Sequence, residues 1–106
     1  MTDSYRSDPP TLLGSRDPAT GQVYFPPRTL SADGALRPCE PTELSREGRL
    51  YSFTRMGDRL FGQIDLPEKV RLQTRLAPGT PEIGALYRLE AAAEGEGQNG
   101  WRFARA

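Results

Sequence analysis

A chain of 106 residues that is 36% hydrophobic suits one domain with a modest core. Its fourteen basic and fourteen acidic residues cancel, leaving no net field to draw in a phosphate backbone. With no histidine and one cysteine, the composition excludes imidazole acid–base chemistry, an internal disulfide and any zinc site built from cysteine and histidine.

Eleven glycines and ten prolines favour short strands and turns over long helices. Zero net charge also lowers colloidal solubility, which suits a chain that lives inside a complex. All basic residues except Lys69 are arginine, the side chain suited to bidentate contacts and to interfaces. The N-terminus has no apolar run, so neither a signal peptide nor a membrane span is expected, and a cytoplasmic protein follows by default.

In chain order, the polar, proline-bearing residues 1–11 read as a disordered or partner-bound tail. Up to Pro41 the apolar residues are scattered among turn formers. Asp17-Pro18-Ala19-Thr20-Gly21 predicts a turn, Val23-Tyr24-Phe25 a short extended piece ended by Pro26-Pro27, and Asp33-Gly34 a second turn. Two turns around short extended pieces predict a knuckle-like hairpin arrangement.

From residue 44 the pattern becomes that of strands. Leu50-Tyr51-Ser52-Phe53-Thr54 is aromatic-rich, Gly57-Asp58 turns, and residues 60–66 place Leu60, Ile64 and Leu66 on one face. Residues 70–76 alternate strictly, with Arg71, Gln73 and Arg75 sharing the outer face. Residues 85–89 and 101–105 complete the set, separated by the loop 94–100, in which Glu94 and Glu96 read as solvated. Five strands with short turns predict an all-β chain closing as a small five-stranded OB-fold barrel over 44–106. They are too few for an immunoglobulin-like sandwich.

Three segments together resemble one known family: Gly14-Ser15-Arg16-Asp17-Pro18-Ala19-Thr20-Gly21, Tyr24-Phe25-Pro26-Pro27-Arg28, and Gly48-Arg49-Leu50-Tyr51-Ser52-Phe53-Thr54. This is the acyl-CoA-associated OB-fold family with an N-terminal rubredoxin-like zinc ribbon, long catalogued as a domain of unknown function. Its pattern runs Gly-x-Arg-Cys-x-x-Cys-Gly, Phe-Pro-Pro-Arg, a second Cys-x-x-Cys, then Gly-x-Val-Tyr-Ser-Phe-Thr. The likeness spans roughly residues 12–103.

This sequence departs from the pattern at the metal. Asp17 and Thr20 stand where the family has its first cysteine pair, and Ser31 and Gly34 where it has the second. The resemblance therefore implies a degenerate, metal-free ribbon over 12–43, with no zinc and no other cofactor. It also implies an accessory, non-catalytic subunit of a thiolase-like or other condensing enzyme in a hetero-oligomer. That subunit would meet acyl-CoA indirectly, with the ribbon and one barrel face near the CoA entrance.

Candidate contacts to the partner or to CoA are Tyr24, Phe25, Pro26, Pro27, Arg28 and Trp101. Two prolines present Arg28 rigidly, as a carboxylate or phosphate ligand requires; the plainer reading is a surface arginine paired with an acid. Of Tyr24 and Phe25, one is expected in the core and one at a contact. Trp101 is either a barrel plug or an interface anchor. Tyr51 and Phe53 are expected inside the barrel or at its mouth. Cys39 reads as an inert thiol.

No catalytic set can be assembled. The alternative function is a free-standing OB-fold module for single-stranded nucleic acid. Against it stand zero net charge and a polar stripe at Arg71, Gln73 and Arg75 without stacking aromatics.

Overall fold

A computed structural model describes residues 4–97 and 99–106. Among them there is no helix, so none long and apolar enough to cross a membrane.

The barrel is built from β5 (Glu47–Met56), β6 (Arg59–Asp65), β7 (Arg71–Leu76), β8 (Leu86–Ala91) and β9 (Trp101–Arg105). These close in the order β5-β6-β7-β9-β8, an OB-fold-like arrangement. Alternation does the work expected of it. Leu60 and Ile64 on β6, Leu72 and Leu76 on β7, and Tyr87 and Leu89 on β8 all point inward and are buried. Closure comes from β9, which runs parallel to β7 where Phe103 meets Leu76 and antiparallel to the whole of β8.

Close approach at one corner of the barrel needs glycine. A Cβ at Gly48 would sit 2.6 Å from the Asp65 carbonyl and 2.6 Å from the Ile64 side chain.

Ahead of the barrel lies a four-stranded antiparallel sheet made of β1 (Tyr5–Ser7), β2 (Pro10–Arg16), β3 (Val23–Tyr24) and β4 (Glu40–Glu43). β2 is its hub, pairing with each of the other three. Here the structure differs from the expectation of a disordered tail over 1–11. Residues 5–16 form a hairpin, with Tyr5 opposite Leu12 and Arg6 opposite Thr11. The hairpin is held because Leu12 is fully buried in the same core as the barrel and Tyr5 packs against that core. Residues 1–3 of the expected tail lie outside the described residues.

The expectation for Tyr51 and Phe53 is overturned. They are 49% and 41% exposed. The pairing of β5 with β6 slips between Leu50 and Ser52, but burial alternates through this point, so Tyr51 after buried Leu50 points outward, and beyond Leu50 the strand has no pairing to β8.

Gly48→Ala should destabilise the fold by about 1–3 kcal/mol, the usual cost of overpacking against backbone. Urea unfolding should show a lower midpoint with an unchanged slope.

Candidate functional site

Trp101 is where the two sheets meet. It is 1% exposed, with Tyr5 from β1 at 6.5 Å, Phe25 at 6.1 Å and Phe103 at 6.3 Å between ring centroids. The last two are edge-to-face contacts, the favourable geometry for aromatic quadrupoles. As an interface anchor Trp101 is corrected: the indole is core, enclosed by the hairpin that the sequence reading took for a tail. Its Nε1 and the Tyr5 hydroxyl are both buried without a hydrogen-bond partner among the described residues, and burial raises the Tyr5 pKa.

The other candidate contacts lie together on the outer side of this junction. Phe25 turns its ring to Trp101 and is partly buried. Tyr24 is partly exposed, and its hydroxyl accepts from the Ala32 amide at 3.2 Å. Pro26 is exposed and Pro27 half-buried between them and Arg28. The Arg28 amide donates to Ser15 Oγ at 2.7 Å, which fixes the loop to β2. Its guanidinium donates to the Leu30 carbonyl and lies 5.6 Å from the Tyr24 ring centre. No carboxylate among the described residues pairs with it. Arg28 is thus an exposed, braced cation without an acidic partner, on a surface shared with Tyr24 and the two prolines.

The two turns expected as knuckles face one another across an ionic knot in which Asp17 is buried and Arg37 and Asp33 are partly exposed. Asp17 and Ser31 are both 0% exposed. Arg37 donates to Asp17 Oδ2 through Nε at 2.9 Å and Nη2 at 2.7 Å, and Nη2 also bridges to Asp33. Ser31 Oγ donates to Asp33 and accepts from the Arg37 amide, while the Ala19 amide donates to Asp17 Oδ1. The turn that delivers Arg37 holds Leu36 in the left-handed region at φ 52°, a local strain that the knot compensates.

The donor set does not fit a zinc ion. The Asp17 carboxylate is already saturated by Arg37 and Ala19, and positions 20 and 34 offer a hydroxyl and a bare glycine. No group of three or more metal-ligating side chains occurs among the described residues. Sequence reasoning singled out Asp17 and Ser31 but missed Arg37 and Asp33. Nothing in the local pattern distinguishes Arg37 from the other arginines; only the turn geometry aims it at Asp17.

The knot also sets a pH dependence. Hydrogen bonding to Arg37 is the main cause that holds the Asp17 and Asp33 carboxyls below the ordinary carboxylate range, and the same bonds raise the Arg37 pKa. A carboxylate with a depressed folded pKa stabilises above its unfolded value and loses that contribution as pH falls through the folded one. Arg37→Met should therefore lower Tm at neutral pH, by about 5 °C or more for a domain of this size. Below about pH 4 the parent protein should lose Tm more steeply than the variant, because only the parent has this contribution to lose. Scanning calorimetry between pH 7 and 2.5 measures both effects.

The outer face of β5–β7 also departs from expectation. Its stripe of Arg71, Gln73 and Arg75 is accompanied by aromatics: the Arg71 guanidinium lies 3.4 Å above the Tyr51 ring and Arg75 lies 5.7 Å from Phe61. Arg71 is tied to Asp65 at 2.6 Å, and its hydrogen bonds lower the Asp65 pKa. One face of the Tyr51 ring is therefore covered by an arginine that is itself paired with Asp65. Cys39 is half-buried, with Sγ 3.9 Å from the Arg37 carbonyl.

No family model matches the chain, and no curated protein matches it. Among solved structures, a chain of the "Ltp2-ChsH2(DUF35) aldolase" superposes with a TM-score of 0.68 at 19% identity, over 90% of this chain and 84% of that one. At that identity the likeness establishes a shared fold.

Proposed function

We propose that this chain is a non-catalytic accessory subunit of a thiolase-like acyl-CoA enzyme. In that assembly it is a scaffold whose Tyr24–Arg28 surface lies beside the CoA entrance, in a cytoplasmic hetero-oligomer. The observation that carries the reading is the fold match over 90% of the chain to a structure whose own description names a DUF35 chain within an aldolase assembly. That agrees with the resemblance carried by residues 14–21, 24–28 and 48–54.

The chemistry of the chain is consistent with a supporting role. Without histidine, and with its buried carboxylate Asp17 committed to an arginine, the chain leaves the nucleophile and the base to its partner. Its residues 12–43 act as a ribbon that needs no zinc, because the Arg37 knot ties the two knuckles. An exposed aromatic beside a braced, unpaired arginine is the composition that binding hot spots favour.

Purification of the tagged full-length chain from its own host should bring down a thiolase-like protein in near-stoichiometric amount, identified by mass spectrometry. The isolated chain should turn over no acyl-CoA. Arg28→Glu should weaken the complex about tenfold or more in a titration of the purified partners. A monodisperse monomer that recovers no such partner would overturn the reading. One equivalent of zinc found by elemental analysis would overturn its metal-free part. A salt-dependent mobility shift with single-stranded nucleic acid would favour the alternative OB-fold function.

A further inference from the structure

The β5–β6 hairpin reaches beyond the barrel and leaves one side of β5 uncovered. β5 pairs with β8 only through Glu47, Gly48 and Arg49, and the last hydrogen bonds on that side join Leu50 to Gly84 and Ala85. From Tyr51 to Met56 the strand pairs with β6 alone, so its other edge has no strand partner among the described residues. The backbone groups along that edge are unpaired, and a strand that presents them is a template for another chain.

Natural sheets blunt such edges with proline, with charged side chains, with bulges or by covering them. This edge has the slip at Tyr51 and the single charge of Arg55 but no proline or lysine, and it exposes Tyr51, Phe53 and Met56 at 49%, 41% and 63%. A groove of about 440 Å³ runs from this strand across β6 to β7, lined by Phe53, Met56 and Phe61 and by the polar Ser52, Thr54 and Gln73.

The charge around the edge selects the occupant. Arg55, Arg59 and Arg75 converge with Arg102 on a second cleft of about 360 Å³. The first three pair with no carboxylate among the described residues, and Arg102 is tied to Glu90. The acids there are Asp58 and Glu96, so positive charge is in excess. An acidic segment complements that charge, whereas a second copy of residues 51–56 brings Arg55 and no carboxylate.

We propose that the Tyr51–Met56 edge of β5 is a strand-addition site for an extended segment of a partner protein, in which apolar residues alternate and aspartate or glutamate flanks them. Main-chain hydrogen bonds supply the pairing, the exposed Phe53 and Met56 meet the apolar side chains, and Arg55 and Arg59 select the acidic flank. This deepens the accessory-subunit reading by naming where a partner's chain attaches.

The test uses the full-length protein and needs no thiolase-like partner, so a failed co-purification sinks the function above without touching this site. A displayed library of random eight-residue segments is selected on the immobilised chain. Enriched segments should alternate apolar residues and carry acids, and the synthesised best binder should lose about tenfold or more in affinity to Arg55→Glu/Arg59→Glu. Methylating the backbone nitrogens of every second residue in that peptide should abolish binding in one phase and spare it in the other. That is the signature of a strand bonded along one edge.

Amide exchange of Tyr51–Met56 should slow in the bound chain. Failure to enrich any segment, equal loss from both methylation phases, or indifference to the two glutamate substitutions would overturn the proposal. So would a concentration-dependent dimer that the same substitutions dissolve, since it would assign the edge to a second copy.

Discussion

The packing of one indole governs how the parts of this molecule hold together. Trp101 begins the last strand, which closes the barrel, and its ring is enclosed by Tyr5 from the first strand, Phe25 from the proline loop and Phe103 from its own strand. A large aromatic removes much apolar surface from water, and here that surface is shared between two sheets. Leu12 and Leu44 extend the same core from the N-terminal side. The barrel and the sheet in front of it therefore share one core, although their strands belong to different ladders.

With the junction buried, the proposed contact surface is what the core leaves outside. The Tyr24–Arg28 loop keeps one ring on Trp101 and presents the next residues outward, with Ser15 and Leu30 restraining the arginine. Pre-ordering a contact loop lowers the entropy lost on association. Behind the loop, the Arg37 knot occupies the space between the two knuckles. Breaking a buried ion pair on one side strands the other charge, so the knot is more exacting than its number of bonds suggests.

The zero net charge hides a local order. Six of the thirteen arginines pair with carboxylates, mostly across neighbouring strands or loops. Of the seven without a carboxylate partner among the described residues, Arg55, Arg59 and Arg75 gather at one end of the barrel, and Arg28 stands in the proline loop. Exposed pairs contribute little stability, so these arrangements matter more for recognition than for folding.

Much of the barrel was legible in the sequence because its strands alternate. Leu60, Ile64, Leu72 and Leu76 announce an inner face by spacing alone, and the turns at Gly57-Asp58 and Pro67-Lys69 separate the strands. The absence of any thiolate over residues 17–34 was legible too. What the sequence concealed depends on contacts distant along the chain. β2 and β4 escape a periodicity search because Leu12 and Leu13 are adjacent and β4 is the polar run Glu40–Glu43. The aim of Arg37 at Asp17, twenty residues away, is set by the path of a turn. The burial of Trp101 depended on a hairpin distant in the sequence, and the exposure of Tyr51 and Phe53 on β5 running past its last contact with the β8 side at Leu50. The pattern of side chains along a strand is local and sets which residues can face inward; which of them are covered is a property of the whole packed chain, because burial requires a partner surface that distant residues supply.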